Sequence, residues 1–112
     1  MSEYFSVETS YEEEALLREA IETVAQELGI QAEIHEQGQE QHLYGWHADR
    51  RAQTGQFIIR RGWLDPASND IGWTRQADGT YQLVISRFDN SSDQRKARQV
   101  AGEVDIEYKR RL

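Results

Sequence analysis

The segment DIGWTRQADGTYQLVISRFD, residues 70–89, constrains the fold more than any other part of the chain. In it, two stretches of alternating polar and apolar residues flank Asp78-Gly79, an arrangement typical of a tight β-hairpin. On the second stretch, Tyr81, Leu83 and Ile85 share one face. The segment therefore predicts an antiparallel sheet, and its apolar face predicts a second layer that covers it.

A first amphipathic helix is predicted to belong to that layer. Residues 11–28 carry apolar side chains at steps of three and four, and Gly29 follows as a C-cap. Ser10 stands three residues before Glu13, the spacing of a capping box. The residues before it, YFSVETS, alternate at Phe5, Val7 and Thr9 and predict a strand.

A second amphipathic helix is predicted at the C-terminal end. Its apolar stripe at helical spacing consists of Ala97, Val100, Ala101, Val104 and Tyr108. Asp105–Lys109 and Glu107–Arg111 are spaced for ion pairs on the outer face. The segment DNSSD, residues 89–93, offers caps for this helix, with Ser91 three residues before Gln94.

The remaining segments complete an α+β pattern. IQAEIHE (residues 30–36) and QFIIRRGWL (residues 56–64) predict strands, whereas HLYGWHADRRAQTG (residues 42–55) begins as a possible strand and passes into a loop. The predicted order is strand, helix, strand, a meander of three strands, then helix. We expect residues 1–112 to form a single α+β domain, a two-layer sandwich. In it, two amphipathic helices cover one face of a mostly antiparallel sheet of four to five strands.

Charge is distributed unevenly along the chain, whose net charge is −7. Residues 1–45 contain eleven acidic residues and one basic residue, whereas residues 46–112 contain nine acidic and twelve basic residues. The acidic half argues against nucleic-acid binding, which needs a cationic face. The basic pairs at residues 50–51, 60–61 and 110–111 are either solvated surface charge or a local patch that faces a charged partner.

The lack of cysteine and of long apolar runs indicates the compartment in which the protein works. The chain has no cysteine, which excludes disulfides and thiolate metal sites and fits a reducing cytosol. No apolar run approaches the ~18 residues of a membrane span, and the N-terminus lacks the features of a signal peptide. We therefore expect a soluble, cytoplasmic protein that does not bind a membrane.

Each of the three tryptophans follows a glycine, as Gly45-Trp46, Gly62-Trp63 and Gly72-Trp73. Trp73 belongs to the predicted hairpin, where core packing is the expected role. Trp46 and Trp63 lie close to arginine pairs, and exposed tryptophan with arginine is typical of interaction hot spots, although sheet packing is the alternative. The candidate interface consists of Tyr44, Trp46, His47, Arg50, Arg51, Arg60, Arg61 and Trp63.

Catalytic chemistry has little support in the sequence. No serine lies in a Gly-x-Ser-x-Gly motif, and no glycine-rich phosphate loop is present. His42 and His47 offer two imidazoles for a small-ligand or metal-dependent enzyme, but no carboxylate or thiolate completes a recognised zinc spacing. We predict no catalytic residue, no metal and no cofactor.

Three short motifs resemble the hypothetical chloroplast open reading frame 35 family, small proteins of cyanobacteria and algal plastids that are also classed as a domain of unknown function. These motifs are a Met-Ser-x-x-Phe-Ser start (Met1, Ser2, Phe5, Ser6), an Ile-Gly and Asp-Gly-x-Tyr hairpin (Ile71, Gly72, Asp78, Gly79, Tyr81), and the turn Gly45-Trp46. The chain departs from the family in having Gly55-Gln56 where Ala-Asp enters the middle strand. It also stops at Leu112, where the family continues into a further strand. The resemblance implies a cyanobacterium-like host and no established activity, so no catalytic residue is carried over.

The sequence thus favours a non-catalytic accessory or adaptor protein that binds another protein through the candidate interface. Two alternatives stay open. One is the enzyme that uses the His42–His47 segment. The other is an acidic inhibitor that occupies a basic groove through the helix of residues 11–28, with Glu12, Glu13, Glu14 and Glu19. The sequence indicates neither the identity of the partner nor an oligomeric state.

Overall fold

The structure is a computed structural model that describes residues 3–112. Met1 and Ser2, which carry part of the family resemblance, lie outside the described residues. The side chains of Glu8 and Thr9 also lie outside the description, and so does the predicted position of Thr9 on the apolar face of the first strand.

Seven strands and two helices are present among residues 3–112. Their order is β1 (Tyr4–Tyr11), α1 (Glu14–Leu28), β2 (Glu33–Ile34), β3 (Gln41–Tyr44), β4 (Arg50–Gly55), β5 (Phe57–Ile59), β6 (Ile71–Arg75), β7 (Tyr81–Ser86) and α2 (Lys96–Arg111). Five strands form one antiparallel sheet in the order β1-β7-β6-β5-β2, and β3 and β4 form a separate hairpin. The predicted α+β class and antiparallel meander are confirmed.

The two helices pack against each other and cover one face of the five-stranded sheet, as predicted. The sheet side of the core consists mainly of Phe57, Ile59, Ile71, Trp73, Tyr81 and Ile85. The helix side consists mainly of Leu17, Ile21, Val24, Ala97, Val100, Val104 and Tyr108. Trp73 is fully buried, which confirms its predicted role in packing.

The β3–β4 hairpin lies against the opposite face of the sheet, where a loop was predicted. Leu43 of β3 is fully buried and packs with Tyr4, Ile58 and Val84. Gly72 favours this close packing, because a Cβ there would lie 3.0 Å from Cδ2 of Leu43. The glycine of this Gly-Trp pair therefore serves the close approach of the hairpin to the sheet.

Gln56, one of the departures from the family pattern, joins the sheet to α1. Its side chain is buried, and its Oε1 accepts a hydrogen bond from the Tyr81 hydroxyl at 2.8 Å. Its Nε2 donates to Oε1 of Glu14 at 2.8 Å. A buried amide needs such partners on both of its polar atoms.

The predicted capping box at Ser10 and Glu13 is wrong. Ser10 lies in β1, where it pairs with Gln82 of β7, so strand pairing extends past the predicted cap. The backbone N–H groups of Glu12 and Glu13 instead donate to the Tyr108 hydroxyl of α2, each at 3.1 Å. A side chain that is distant in sequence therefore satisfies donors near the start of α1. The predicted C-cap at Gly29 is confirmed by its φ of 68°.

The predicted cap of the second helix at Ser91 is also wrong. The helix begins at Lys96, whose backbone N–H donates to Oδ2 of Asp65 at 2.8 Å. Asp65 belongs to the turn before Pro66, so the cap again comes from another part of the chain. The predicted ion pairs are present, with Lys109–Asp105 at 2.9 Å and Arg111–Glu107 at 3.4 Å.

Tyr108→Phe tests the capping of α1, since it removes the hydroxyl and keeps the ring in the core. We expect the free energy of unfolding to fall by about 1–2 kcal/mol, because the N–H groups of Glu12 and Glu13, directly before α1, lose their acceptor. Urea unfolding followed by circular dichroism measures the difference. Tyr44→Phe is the control, because Tyr44 is exposed. Equal losses in the two variants would contradict the capping role.

Candidate functional site

The turn between β3 and β4 projects two rings into solvent. The N–H of Gly45 donates to the carbonyl of Asp49 at 2.8 Å, and the N–H of Ala48 donates to the carbonyl of Gly45 at 2.8 Å. Ala48 has a φ of 62°, the left-handed conformation that three-residue hairpin loops usually assign to glycine. Trp46 is 44% exposed, and its ring contacts that of His47 with centroids 3.7 Å apart.

The carboxylate of Asp70, which is 1% exposed, holds the base of this turn. Its Oδ2 accepts from the N–H of Tyr44 at 2.8 Å and from Nη1 of Arg60 at 2.8 Å. Its Oδ1 accepts from the N–H of Arg61 at 2.7 Å. The carbonyl of Asp70 accepts from the hydroxyl of Tyr4 at 2.7 Å, and burial raises the pKa of that hydroxyl, which keeps it a donor.

Asn69, which is also 1% exposed, holds the tip of the turn. Its Oδ1 accepts from the N–H of Trp46 at 3.0 Å. Its Nδ2 donates to Oγ of Ser86 at 2.9 Å and to Oδ2 of Asp89 at 3.2 Å. Asp89 is fully buried, and its other oxygen lies 3.4 Å from Nη2 of Arg95. A buried polar network thus connects the turn to the segment before α2.

All three nitrogens of the Arg60 guanidinium group donate hydrogen bonds within the protein. Its Nε and Nη2 donate to the two oxygens of Glu33 at 2.6 and 2.9 Å, and its Nη1 donates to Asp70 and to the carbonyl of His42. Hydrogen bonds to Glu33 and Asp70 raise the pKa of Arg60, although burial opposes this, and the same pairing lowers the pKa of Glu33. The Arg60 charge is therefore neutralised inside the protein.

Arg50 and Arg51 point to opposite faces of β4, as successive residues of a strand do. Arg51 packs against the sheet, with its guanidinium 4.9 Å from the ring centroid of Tyr4 and its Nε 3.8 Å from Oδ2 of Asp49. Arg50 is exposed and lies opposite Tyr44 in the strand register. Directly paired residues of an antiparallel hairpin share a face, so Arg50 lies on the side of Tyr44.

A shallow cleft of about 430 Å³ lies beside these residues. It is lined by Tyr44, Ala48, Arg60, Arg61, Gly62 and Asp70. Trp63 follows Gly62 in a 3-10 turn and is 39% exposed, while Tyr44 is 38% exposed. We call Tyr44, Trp46 and Trp63 the aromatic surface.

The candidate interface is thus divided into two groups. Tyr44, Arg60 and Arg61 line the cleft, and the turn with Trp46 and His47 borders it through Ala48. Arg50 is exposed on the side of Tyr44, and Trp63 adjoins the cleft residue Gly62. Arg51 and Arg60 instead belong to ion pairs and ring contacts that support the hairpin.

Asn69, Asp70 and Asp89 position the aromatic surface and were not predicted. Each is polar and follows or precedes an apolar strand, which is typical of an ordinary turn. Their position directly before or after the predicted hairpin was the available signal. Their burial depends on the β3–β4 hairpin and on Arg95, which are distant in sequence.

The histidines have separate partners. Nδ1 of His42 donates to the carbonyl of Arg51 at 2.8 Å, while His47 contacts Trp46. In residues 3–112, no group of three or more His, Cys, Asp or Glu side chains is arranged to hold a metal ion.

The glutamates of the acidic helix differ in their surroundings. Glu12 and Glu13 are exposed, whereas Glu14 accepts a hydrogen bond from the amide of Gln56. Glu19 lies 3.4 Å from Nη1 of Arg111, so α2 partly neutralises this face. None of the helices in the described part of the chain is long and apolar enough to cross a membrane.

Comparisons with protein-family models, with curated proteins and with solved structures found no match to this chain.

Ala48→Gly tests whether the turn is strained. We expect the free energy of unfolding to rise by about 0.5–1 kcal/mol, because glycine adopts a positive φ without the steric cost of a Cβ. Thermal unfolding measures the change. Ala52→Gly, at an exposed position of β4, is the matched control and should lower stability by about 0.5–1 kcal/mol. A destabilised Ala48→Gly protein would show that the turn is unstrained.

Glu33→Gln tests the ion pair with Arg60 through its pH dependence. Because the folded-state pKa of Glu33 is lowered from 4.5, the pair stabilises the protein above about pH 4.5. This contribution is lost as pH falls through the lowered pKa. We expect Glu33→Gln to lower the unfolding free energy near neutral pH by about 1 kcal/mol or less, since Glu33 is 39% exposed.

Urea titrations across that pH range measure the difference between the variant and the original protein. The difference should shrink on acidification. Glu36→Gln is the control, because Glu36 is exposed and forms no ion pair with any residue in 3–112. A difference that does not depend on pH would contradict the electrostatic origin.

Proposed function

We propose that this protein is a non-catalytic adaptor that binds another protein through the aromatic surface, with Arg50 and Arg61 beside it. The observation that carries the proposal is the exposure of three aromatic residues, Tyr44, Trp46 and Trp63, by 38, 44 and 39%. Tyr44 lines the cleft, and Trp46 and Trp63 lie within two residues of the cleft residues Ala48 and Gly62. Scattered exposed apolar residues are ordinary, but aromatic residues with arginine are enriched at binding hot spots.

Burial of these rings provides the free energy of association. Covering the exposed part of one such tryptophan contributes on the order of 2 kcal/mol, from the apolar area removed from water. Tyr44 and Trp63 add smaller amounts of the same kind. Several rings that are buried together meet the requirement of a hot spot, in which a few residues supply most of the affinity.

The backbone of the aromatic surface is held in place before a partner arrives. Asp70 binds the N–H groups of Tyr44 and Arg61, and Asn69 binds the N–H of Trp46. Both anchors are buried, so water does not compete for these bonds. A surface that is already ordered loses less conformational entropy when it binds.

The proposal extends to the family and the cellular setting. Support for the hypothetical chloroplast open reading frame 35 family is the hairpin motif with Ile71, Gly72, Asp78-Gly79 and Tyr81. The absence of cysteine from the sequence supports a cytoplasmic location in a cyanobacterium-like cell.

A pull-down from a native cyanobacterial lysate, quantified by mass spectrometry, tests the aromatic surface. The bait variants are the original protein, Trp46→Ala/Trp63→Ala and Leu28→Ala/Ile106→Ala. The last pair removes exposed apolar side chains of similar exposure, 46 and 48%, from the helices. We expect specific proteins to be recovered by the original and the helix variant and depleted at least tenfold in the tryptophan variant.

Circular dichroism of each bait shows whether the fold is retained. Equal recovery of the same proteins by all three baits would contradict binding through the aromatic surface. Depletion by the helix variant instead of the tryptophan variant would assign binding to the helical side.

A further inference from the structure

Most of the arginines in this acidic protein form ion pairs, but three do not within residues 3–112. Eight of its eleven arginines have a carboxylate oxygen within 4.0 Å. These are Arg18, Arg51, Arg60, Arg87, Arg95, Arg98, Arg110 and Arg111. The guanidinium groups of Arg50, Arg61 and Arg75 have no such partner within residues 3–112.

Two of these three arginines lie near the same aromatic residue, Tyr44. Arg50 is paired with Tyr44 in the strand register, so their side chains share a face of the β3–β4 hairpin. Arg61 and Tyr44 line the same cleft. Arg75 lies at the far end of β6, next to the Asp78-Gly79 turn and away from the cleft lining.

Glu33 and Asp70 carry one negative charge more than the Arg60 that pairs with them, but neither carboxylate lies within 4.0 Å of the guanidinium group of Arg50 or Arg61. The carboxylates of Glu33 and Asp70 are bound by Arg60, and Oδ1 of Asp70 is occupied by the backbone N–H of Arg61. Within residues 3–112, two guanidinium groups near the cleft therefore lack a direct carboxylate partner on a protein whose net charge is −7. Charges placed in this way steer and orient a partner of opposite sign.

We infer that the partner presents an acidic peptide segment in which carboxylates alternate with apolar side chains. The carboxylates pair with Arg50 and Arg61, since guanidinium groups bind carboxylates through two parallel hydrogen bonds. The apolar side chains cover Tyr44 and Trp46. The inference rests on the proposed function and specifies the chemistry of the partner.

Nucleic acid is the competing ligand, because phosphates also pair with arginine and bases stack on exposed rings. The observations favour a peptide, because the two unpaired arginines near the cleft match two carboxylates, whereas a nucleic acid presents a phosphate at every nucleotide. Nucleic-acid affinity grows with the number of phosphates that cations neutralise.

Fluorescence anisotropy with labelled probes tests the inference on the full chain. The probes are a short peptide of alternating glutamate and leucine, the same peptide with lysine in place of glutamate, and single-stranded oligothymidine. We expect the glutamate peptide to bind most tightly and to lose affinity as salt is raised to physiological ionic strength. Arg50→Gln/Arg61→Gln should weaken it about tenfold.

Two matched variants distinguish the effect of the Arg50 and Arg61 charges from a general loss of positive charge and from the geometry of the guanidinium group. Arg75→Gln removes the third unpaired arginine and should leave binding unchanged. Arg50→Lys/Arg61→Lys keeps both charges without the guanidinium geometry and should retain part of the affinity. A loss with Arg75→Gln equal to that of the double glutamine variant would overturn the inference.

The remaining outcomes are also decisive. Equal binding of the glutamate and lysine peptides, or no binding of either, would overturn an acidic partner, and tighter binding of oligothymidine would assign the cleft to nucleic acid. The lysate pull-down separates the inference from the proposed function. If Trp46→Ala/Trp63→Ala loses its lysate partners while Arg50→Gln/Arg61→Gln keeps them, the proposed function stands and the inference fails. If both variants keep the partners, the proposed function fails.

Discussion

The buried carboxylate of Asp70 is the interaction on which the arrangement of the aromatic surface depends. It joins β3, the end of β5 and the start of β6 through the N–H groups of Tyr44 and Arg61 and the guanidinium of Arg60. A buried carboxylate without partners would destabilise the protein by several kcal/mol. Here both carboxylate oxygens accept hydrogen bonds, three in all, so the cost of desolvation is offset and the local backbone has one favourable arrangement.

The adjacent arginine pairs illustrate how one element can serve both stability and binding. In the pairs at residues 50–51 and 60–61, one member supports the hairpin and the other has no carboxylate partner within residues 3–112. Arg51 packs against Tyr4 and Arg60 binds Glu33 and Asp70, whereas Arg50 and Arg61 keep unpaired guanidinium groups beside Tyr44. Alternation along a strand separates the members of the first pair. The start of the 3-10 turn at Arg61 separates those of the second, since Arg60 is still extended.

Periodicity predicted the parts of the fold that depend on local sequence. The apolar stripe of α2 and the hairpin around Asp78-Gly79 follow from spacing and turn chemistry, and both are present. Caps and the site scaffold could not be predicted, because Tyr108, Asp65 and Asp70 act on segments far away in the chain. The β3–β4 hairpin was missed because its turn places Ala48, rather than glycine, in the left-handed conformation.

The capping of α1 by Tyr108 has a consequence for synthesis of the chain. The hydroxyl that accepts hydrogen bonds at the start of α1 belongs to α2, and β1 pairs with β7 in the sheet. As the chain leaves the ribosome from its N-terminus, the first strand and helix emerge well before these partners. The native contacts of β1 and α1 with β7 and α2 therefore form only after these later segments have been synthesised.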